Sequence, residues 1–172
     1  MLMNTRYKVL AALLTFWANT AIAATATANL SVTATVSGAC SVTTSPVAFG
    51  AYNPLSGSLL DATGAVTVTC TSGTTYSIAL DAGANASTTS DANTRRMLAN
   101  TSDFLPYALY LDSGHTTIWG DGLNGTSVNP TSSTFTGDGT AQGRTVYGRI
   151  AAGQNVAPGT YSDTVVATIT YN

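Results

Sequence analysis

Apolar and polar positions alternate almost without a break from residue 24 to residue 40. Ala26, Ala28, Leu30, Val32, Ala34 and Val36 fall on one side, and Thr25, Thr27, Asn29, Ser31, Thr33 and Thr35 on the other. A period of two predicts an extended strand with one face to bury. No turn brings a second run within hairpin distance, so this segment has no local partner. The same period returns in "AVTVTC", Ala65 to Cys70, and from Tyr76, where Tyr76, Ile78 and Leu80 share a face. In "FLPYALYLD", Phe104 to Asp112, Leu105, Tyr107, Leu109 and Leu111 share one face, with Phe104, Ala108 and Tyr110 on the other. Pro106 inside that run predicts an edge or a strand start, because proline cannot donate to a ladder.

The remaining runs are shorter or more ambiguous. "SVTTSPVAFGAYNP" predicts a strand stopped by Gly50 and Pro54, and Ala84 to Thr94 a polar loop. "TTIWGDGLNGTS" predicts a short strand entering a glycine-rich turn, and "TSSTFTG" and "RTVYGRIAAG" two further strands. The last run, "GTYSDTVVATITYN", sets Tyr161, Val165, Ala167, Ile169 and Tyr171 against Thr164, Val166, Thr168 and Thr170. Short alternating strands without a helical period predict an all-β, antiparallel sandwich. With only Asn172 after it, the last strand is expected at an open edge or beside a strand from elsewhere.

The first residues change how the rest is counted. Arg6 and Lys8 precede an apolar stretch, Val9 to Ala18, followed by the small residues Ala21 to Ala23. That is the pattern of a secretory signal peptide over 1–23, cleaved after Ala23. Removing it leaves four arginines and no lysine against eight aspartates, a net charge near −4. Nucleic-acid binding and a polybasic membrane contact are therefore not expected, nor is direct membrane insertion. In an exported chain the two cysteines, Cys40 and Cys70, are expected to form a disulfide. Closing that loop stabilises the fold by about 3.5 kcal/mol on the chain-entropy account.

Candidate chemistry is sparse. His115, in the turn "DSGHTT", is the single histidine, and no serine sits in a nucleophile-elbow motif. A solvated turn histidine is the simpler expectation than a catalytic one. "GDGLNGT", Gly120 to Thr126, brings Asp121 and Asn124 close, yet lacks the spaced acidic ligands of a calcium loop. An Asx-rich turn is expected there, with no metal and no cofactor. Trp119 and Tyr52 are candidates for stacking against a sugar, with Trp119 expected in the core instead. Asn29, Asn85, Asn100 and Asn124 each begin an Asn-x-Ser/Thr sequon.

An ordered set of segments carries a family likeness: "VTATVSGAC", "VAFGAY", "RRML", "LPYALYLD", "TIWGDG", "YGRIAAGQ" and "PGTYSDTVVATITY". Together they resemble the spore coat protein U domain, a family that includes pilins of archaic chaperone–usher pili. The resemblance implies an immunoglobulin-like sandwich lacking its last strand, spanning 34–172, preceded by a donor strand over 24–33. Ala26, Ala28, Leu30 and Val32 would then enter the groove of a neighbouring subunit, beside its Val165, Ala167, Ile169 and Tyr171. The implied partners are other pilin subunits, a periplasmic chaperone and an outer-membrane usher. The implied location is the cell surface, with adhesion and biofilm formation as the outcome and no reaction catalysed. The competing expectations are a secreted monomeric sandwich that binds carbohydrate, with Trp119 exposed in a cleft, and a hydrolase using His115.

Overall fold

The computed structural model describes residues 21–172, so most of the expected signal peptide lies outside the described residues. The chain divides into two units, Met1–Thr35 and Val36–Asn172. In the first, residues 21–35 carry no regular secondary structure and every one is exposed. The second holds all the strands among the described residues.

Its larger sheet runs in the order β1 (Cys40–Ser45), β2 (Leu60–Cys70), β8 (Ala141–Ile150), β6 (Ala108–Tyr110), with every pairing antiparallel. A second sheet is β7 (Phe135–Thr136), β3 (Thr75–Leu80), β9 (Ala167–Tyr171). A separate hairpin joins β4 (Arg96–Ala99) to β5 (Asp103–Pro106). A single 3₁₀ turn, Ala92–Thr94, interrupts the polar loop, and the Asp91 carboxylate caps it through Asn93 N. The architecture is an all-β antiparallel sandwich.

The core follows the alternation. Val66, Val68 and Cys70 of β2 face Tyr76, Ile78 and Leu80 of β3, and all six are buried. Each such aliphatic side chain contributes about 1.5–3 kcal/mol of hydrophobic stabilisation. Trp119 is fully enclosed between the layers, and its indole Nε1 donates to Ile78 O at 3.0 Å. Cys40 and Cys70 stand opposite each other in the β1–β2 register and are disulfide-bonded.

Four boundaries differ from the sequence expectation. The first strand of the sandwich begins at Cys40, six residues into the domain expected over 34–172. Ahead of it, Ala39 is held by Thr71, donating to Thr71 Oγ1 and accepting from Thr71 N. β1 also ends at Ser45, well before Gly50, because Pro46 has no N–H for the ladder. "FLPYALYLD" is two strands: Pro106 closes the hairpin opposite Arg96, and the chain crosses at Tyr107 into the larger sheet. β6 is indeed the edge of that sheet. Around Ile118 and Trp119 there are only isolated bridges, to Tyr110 and Ser127.

One buried charge organises the loops. Arg95 is 1% exposed, and its guanidinium donates to the backbone carbonyls of Leu80, Asp81 and Trp119. Burial lowers its pKa from the ordinary arginine value, while the nearby Tyr107 phenol and the Asp81, Asp163 and Asp121 carboxylates oppose that shift. Three carbonyls that no strand satisfies are thereby paired, which is what a buried polar backbone requires.

Candidate functional site

β9 pairs with β3 alone among the described residues, and its register fixes which atoms point away. Asn172 N donates to Thr75 O, and Val166 O accepts from Asp81 N. Even-numbered residues therefore bond towards β3. By the alternation of an antiparallel ladder, the N–H and C=O groups of Ala167, Ile169 and Tyr171 point along the opposite edge. The side chains of Ala167 and Ile169 turn inward and pack on the core while remaining half-buried. Tyr171, at the rim, is exposed. Val165 also packs on the core, but lies just before β9 instead of within it.

Beside this edge the two layers do not close. A groove of about 640 Å³ is lined by Val47, Phe49, Met97, Ile150, Val156 and Tyr161, among others. A second stretch of about 410 Å³ shares Val47, Phe49, Met97 and Tyr161 and continues to Leu80, Val165 and Ala167. The two form one apolar trench between the Pro46–Tyr52 segment and the approach to β9. Its depth depends on Gly148: a Cβ there would lie 2.6 Å from Val47 Cγ1 and 2.8 Å from Phe49 Cζ. The sequence reading missed Val47, Phe49, Met97 and Val156 as groove residues. The alternation of Val47 and Phe49 was the available signal, hidden by assigning them to a strand.

Polar anchors hold the trench at both ends. Tyr107 donates its hydroxyl to Asp163 Oδ2 at 2.8 Å, and Asp163 Oδ1 accepts from Asn85 N and Nδ2. Burial, then the Asp163 bond, raises the Tyr107 pKa well above the ordinary phenol value. Val166 N is held by Asp81 Oδ1 at 2.9 Å, which fixes the entry into β9. At the far end Tyr52 donates to Ala151 O and accepts from Gln154 N.

The other candidate residues are accounted for. Ala26, Ala28, Leu30 and Val32 are exposed, Leu30 by 87% and Val32 by 86%. Trp119 is enclosed, which removes it as a sugar-stacking platform. His115 is not a solvated turn residue: its side chain is 7% exposed, laid edge-on against Tyr110 and 3.7 Å from Asp61 Oδ1. A positive φ of 57° at His115, and the Asp112 carboxylate bonded to Thr116 N and Thr117 N, fold the turn back onto the sheet. The Asp121 carboxylate caps Leu123 N at 3.0 Å, the Asx turn expected for "GDGLNGT".

The fold and site thus define a β-sandwich domain whose β9 edge is unpaired among the described residues, beside an apolar trench. Residues 26–168 match the model of the Spore Coat Protein U domain, and the chain belongs to that family. It is 41% identical over 161 residues to Protein U of Myxococcus xanthus, covering 87% of each chain. It is also similar to a solved complex from archaic chaperone–usher Csu pili of Acinetobacter baumannii, the CsuC–CsuE chaperone–tip adhesion subunit pre-assembly complex. That likeness is 20% identity at a TM-score of 0.49, covering 78% of this chain and 40% of the other.

Proposed function

We propose that this chain is a structural pilus subunit of the archaic chaperone–usher kind, assembling by donor-strand complementation. The observation that carries the reading is β9: Ala167 lines the apolar trench, Ile169 packs on the core beside it, and both present their backbone groups along the strand's unpaired edge. A strand added there gains ladder bonds and buried side chains together, the mode by which extended peptides join sheet edges, of which chaperone–pilin pairs are a known example.

The occupant in the assembled state is residues 24–33 of another copy. Ten residues of strand reach about 33 Å, the length of a small sandwich. Leu30 and Val32 contribute about 1.5–3 kcal/mol each on burial, and each ladder bond about 1 kcal/mol net. Ala26 and Ala28 fill only shallow positions, so backbone pairing carries much of the affinity. An open edge and a free strand on one molecule give head-to-tail, heterologous association. During export a periplasmic chaperone occupies the trench, and an outer-membrane usher exchanges it for the donor strand at the cell surface. Adhesion and biofilm formation are the outcomes expected of such a fibre.

Leu30→Asp in the full chain tests this by placing a charge at the centre of the donor segment. Loss of surface polymers, with the subunit retained in the periplasm, is the expected result. Polymers of unchanged length would overturn the assignment.

A further inference from the structure

Away from the trench, the outward face of Phe104–Tyr110 has a layout that assembly does not use. Phe104, Pro106, Ala108 and Tyr110 alternate with the buried Leu105, Tyr107 and Leu109. Aromatic rings stand at both ends and two small residues form the floor between them. Arg96 pairs with Pro106 from β4, and Arg149 pairs with Ala108 from β8. Tyr107 N bonds to Arg95 O, and Leu109 O accepts from Trp119 N, so odd positions bond towards the β4 side. The β8 side is left to Ala108 and Tyr110. The two arginines therefore flank opposite edges of the floor, two strand spacings across and two residues along, about 12 Å apart, with side chains on the same face.

The depression they border encloses about 470 Å³ and is lined also by Ser87, Asn93 and Gln154. Three of the four arginines beyond residue 23 line it, in a chain whose other charges there are eight aspartates and Arg144. Arg95 is consumed by backbone carbonyls, but Arg96 uses only Nε, on Asn85 O, and lies flat over the Phe104 ring at 3.6 Å. Arg149 spends Nε and one terminal nitrogen on Asp61 and keeps the other. That pair is itself a two-pronged carboxylate contact, with Arg149 29% exposed. Among the described residues the hydroxyls of Ser87 and Tyr110 form no internal hydrogen bond.

We propose that this trough is a binding site for a carboxylate-bearing saccharide, of the hexuronate class. Planar guanidinium forks match a carboxylate. The Phe104 and Tyr110 rings stand at the two ends of a floor six residues, or about 20 Å, long, which suits a short oligosaccharide, and the hydroxyl and amide rim suits sugar hydroxyls. Neutral sugars offer no carboxylate to the terminal nitrogens that Arg96 and Arg149 keep free, and a compact inorganic anion cannot span both sides. The site does not depend on polymerisation and stands or falls apart from it.

Isothermal titration of the purified full chain with a galacturonate trisaccharide tests the assignment, with maltotriose and inorganic phosphate as comparators. The acidic trisaccharide is expected to bind at least tenfold more tightly than either. Arg96→Gln and Ala108→Leu should each weaken it tenfold or more, the second without changing charge, while Arg144→Gln, outside the trough, leaves it unchanged. Equal affinity for all three ligands, no measurable binding of the trisaccharide, or full affinity in Arg96→Gln would overturn the proposal. Unchanged melting temperatures separate a lost contact from a lost fold.

Discussion

Tyr107 donates its phenolic hydroxyl to Asp163 Oδ2 across 2.8 Å, tying the crossing point between two sheets to the segment that leads into β9. The bond lies where the trench meets the core, so the shape of the β9 edge depends on it. Asp163 also holds Asn85, and a carboxylate left there without the phenol is partly desolvated.

The phenol gives an alkaline signature. Its folded-state pKa is raised, chiefly by burial, so the unfolded chain releases this proton first as pH rises. Stability from this group is complete below the unfolded phenol value of about 10 and falls as pH climbs above it. Denaturant melts from pH 8 to 11 should show that loss in the wild type and a shallower one in Tyr107→Phe. Parallel slopes would remove Tyr107 as the cause.

Arg95→Met should be among the most damaging substitutions in the domain. It leaves the carbonyls of Leu80, Asp81 and Trp119 without their donor. Orphaned buried acceptors cost about 1–3 kcal/mol each, so a loss of about 3 kcal/mol or more is expected in equilibrium unfolding. Arg96→Met, one residue on and partly exposed, should change stability far less.

Gly148→Val should close the trench from beneath. The new side chain occupies the space of Val47 Cγ1 and the Phe49 ring, forcing both outward. Crowding of a packed site costs about 1–3 kcal/mol. The donor strand would also lose its floor, so polymer yield should fall further than the drop in subunit stability explains.

Much of this was readable from the alternation, and the exceptions have physical causes. Leu105, Tyr107 and Leu109 share a buried face because a period of two survives the crossing between sheets. The crossing itself was not readable, since it depends on where Arg95 and Trp119 anchor the chain, and those bonds are long-range. Val47 and Phe49 looked like strand residues because their neighbours alternate. Pro46 ends the ladder, and the two side chains line a groove instead of a finished core. His115 looked like a solvated turn residue because sequence does not reveal that Asp112 folds its turn onto Tyr110. Ala167 and Ile169 of the last strand pack inward as the alternation implies, whereas Tyr171 is exposed and Val165 lies before the strand, and the ladder pairing with β3 was not readable.

The central claim concerns one strand edge, and amide hydrogen exchange resolves it residue by residue. In the unassembled subunit, the amides of Thr168 and Thr170, bonded towards β3, should exchange slowly, while those of Ile169 and Tyr171 exchange freely. In the assembled fibre all four should be protected, and Leu30→Asp should return Ile169 and Tyr171 to fast exchange. Protection of Ile169 and Tyr171 in the isolated subunit, or its absence in the fibre, would contradict the account.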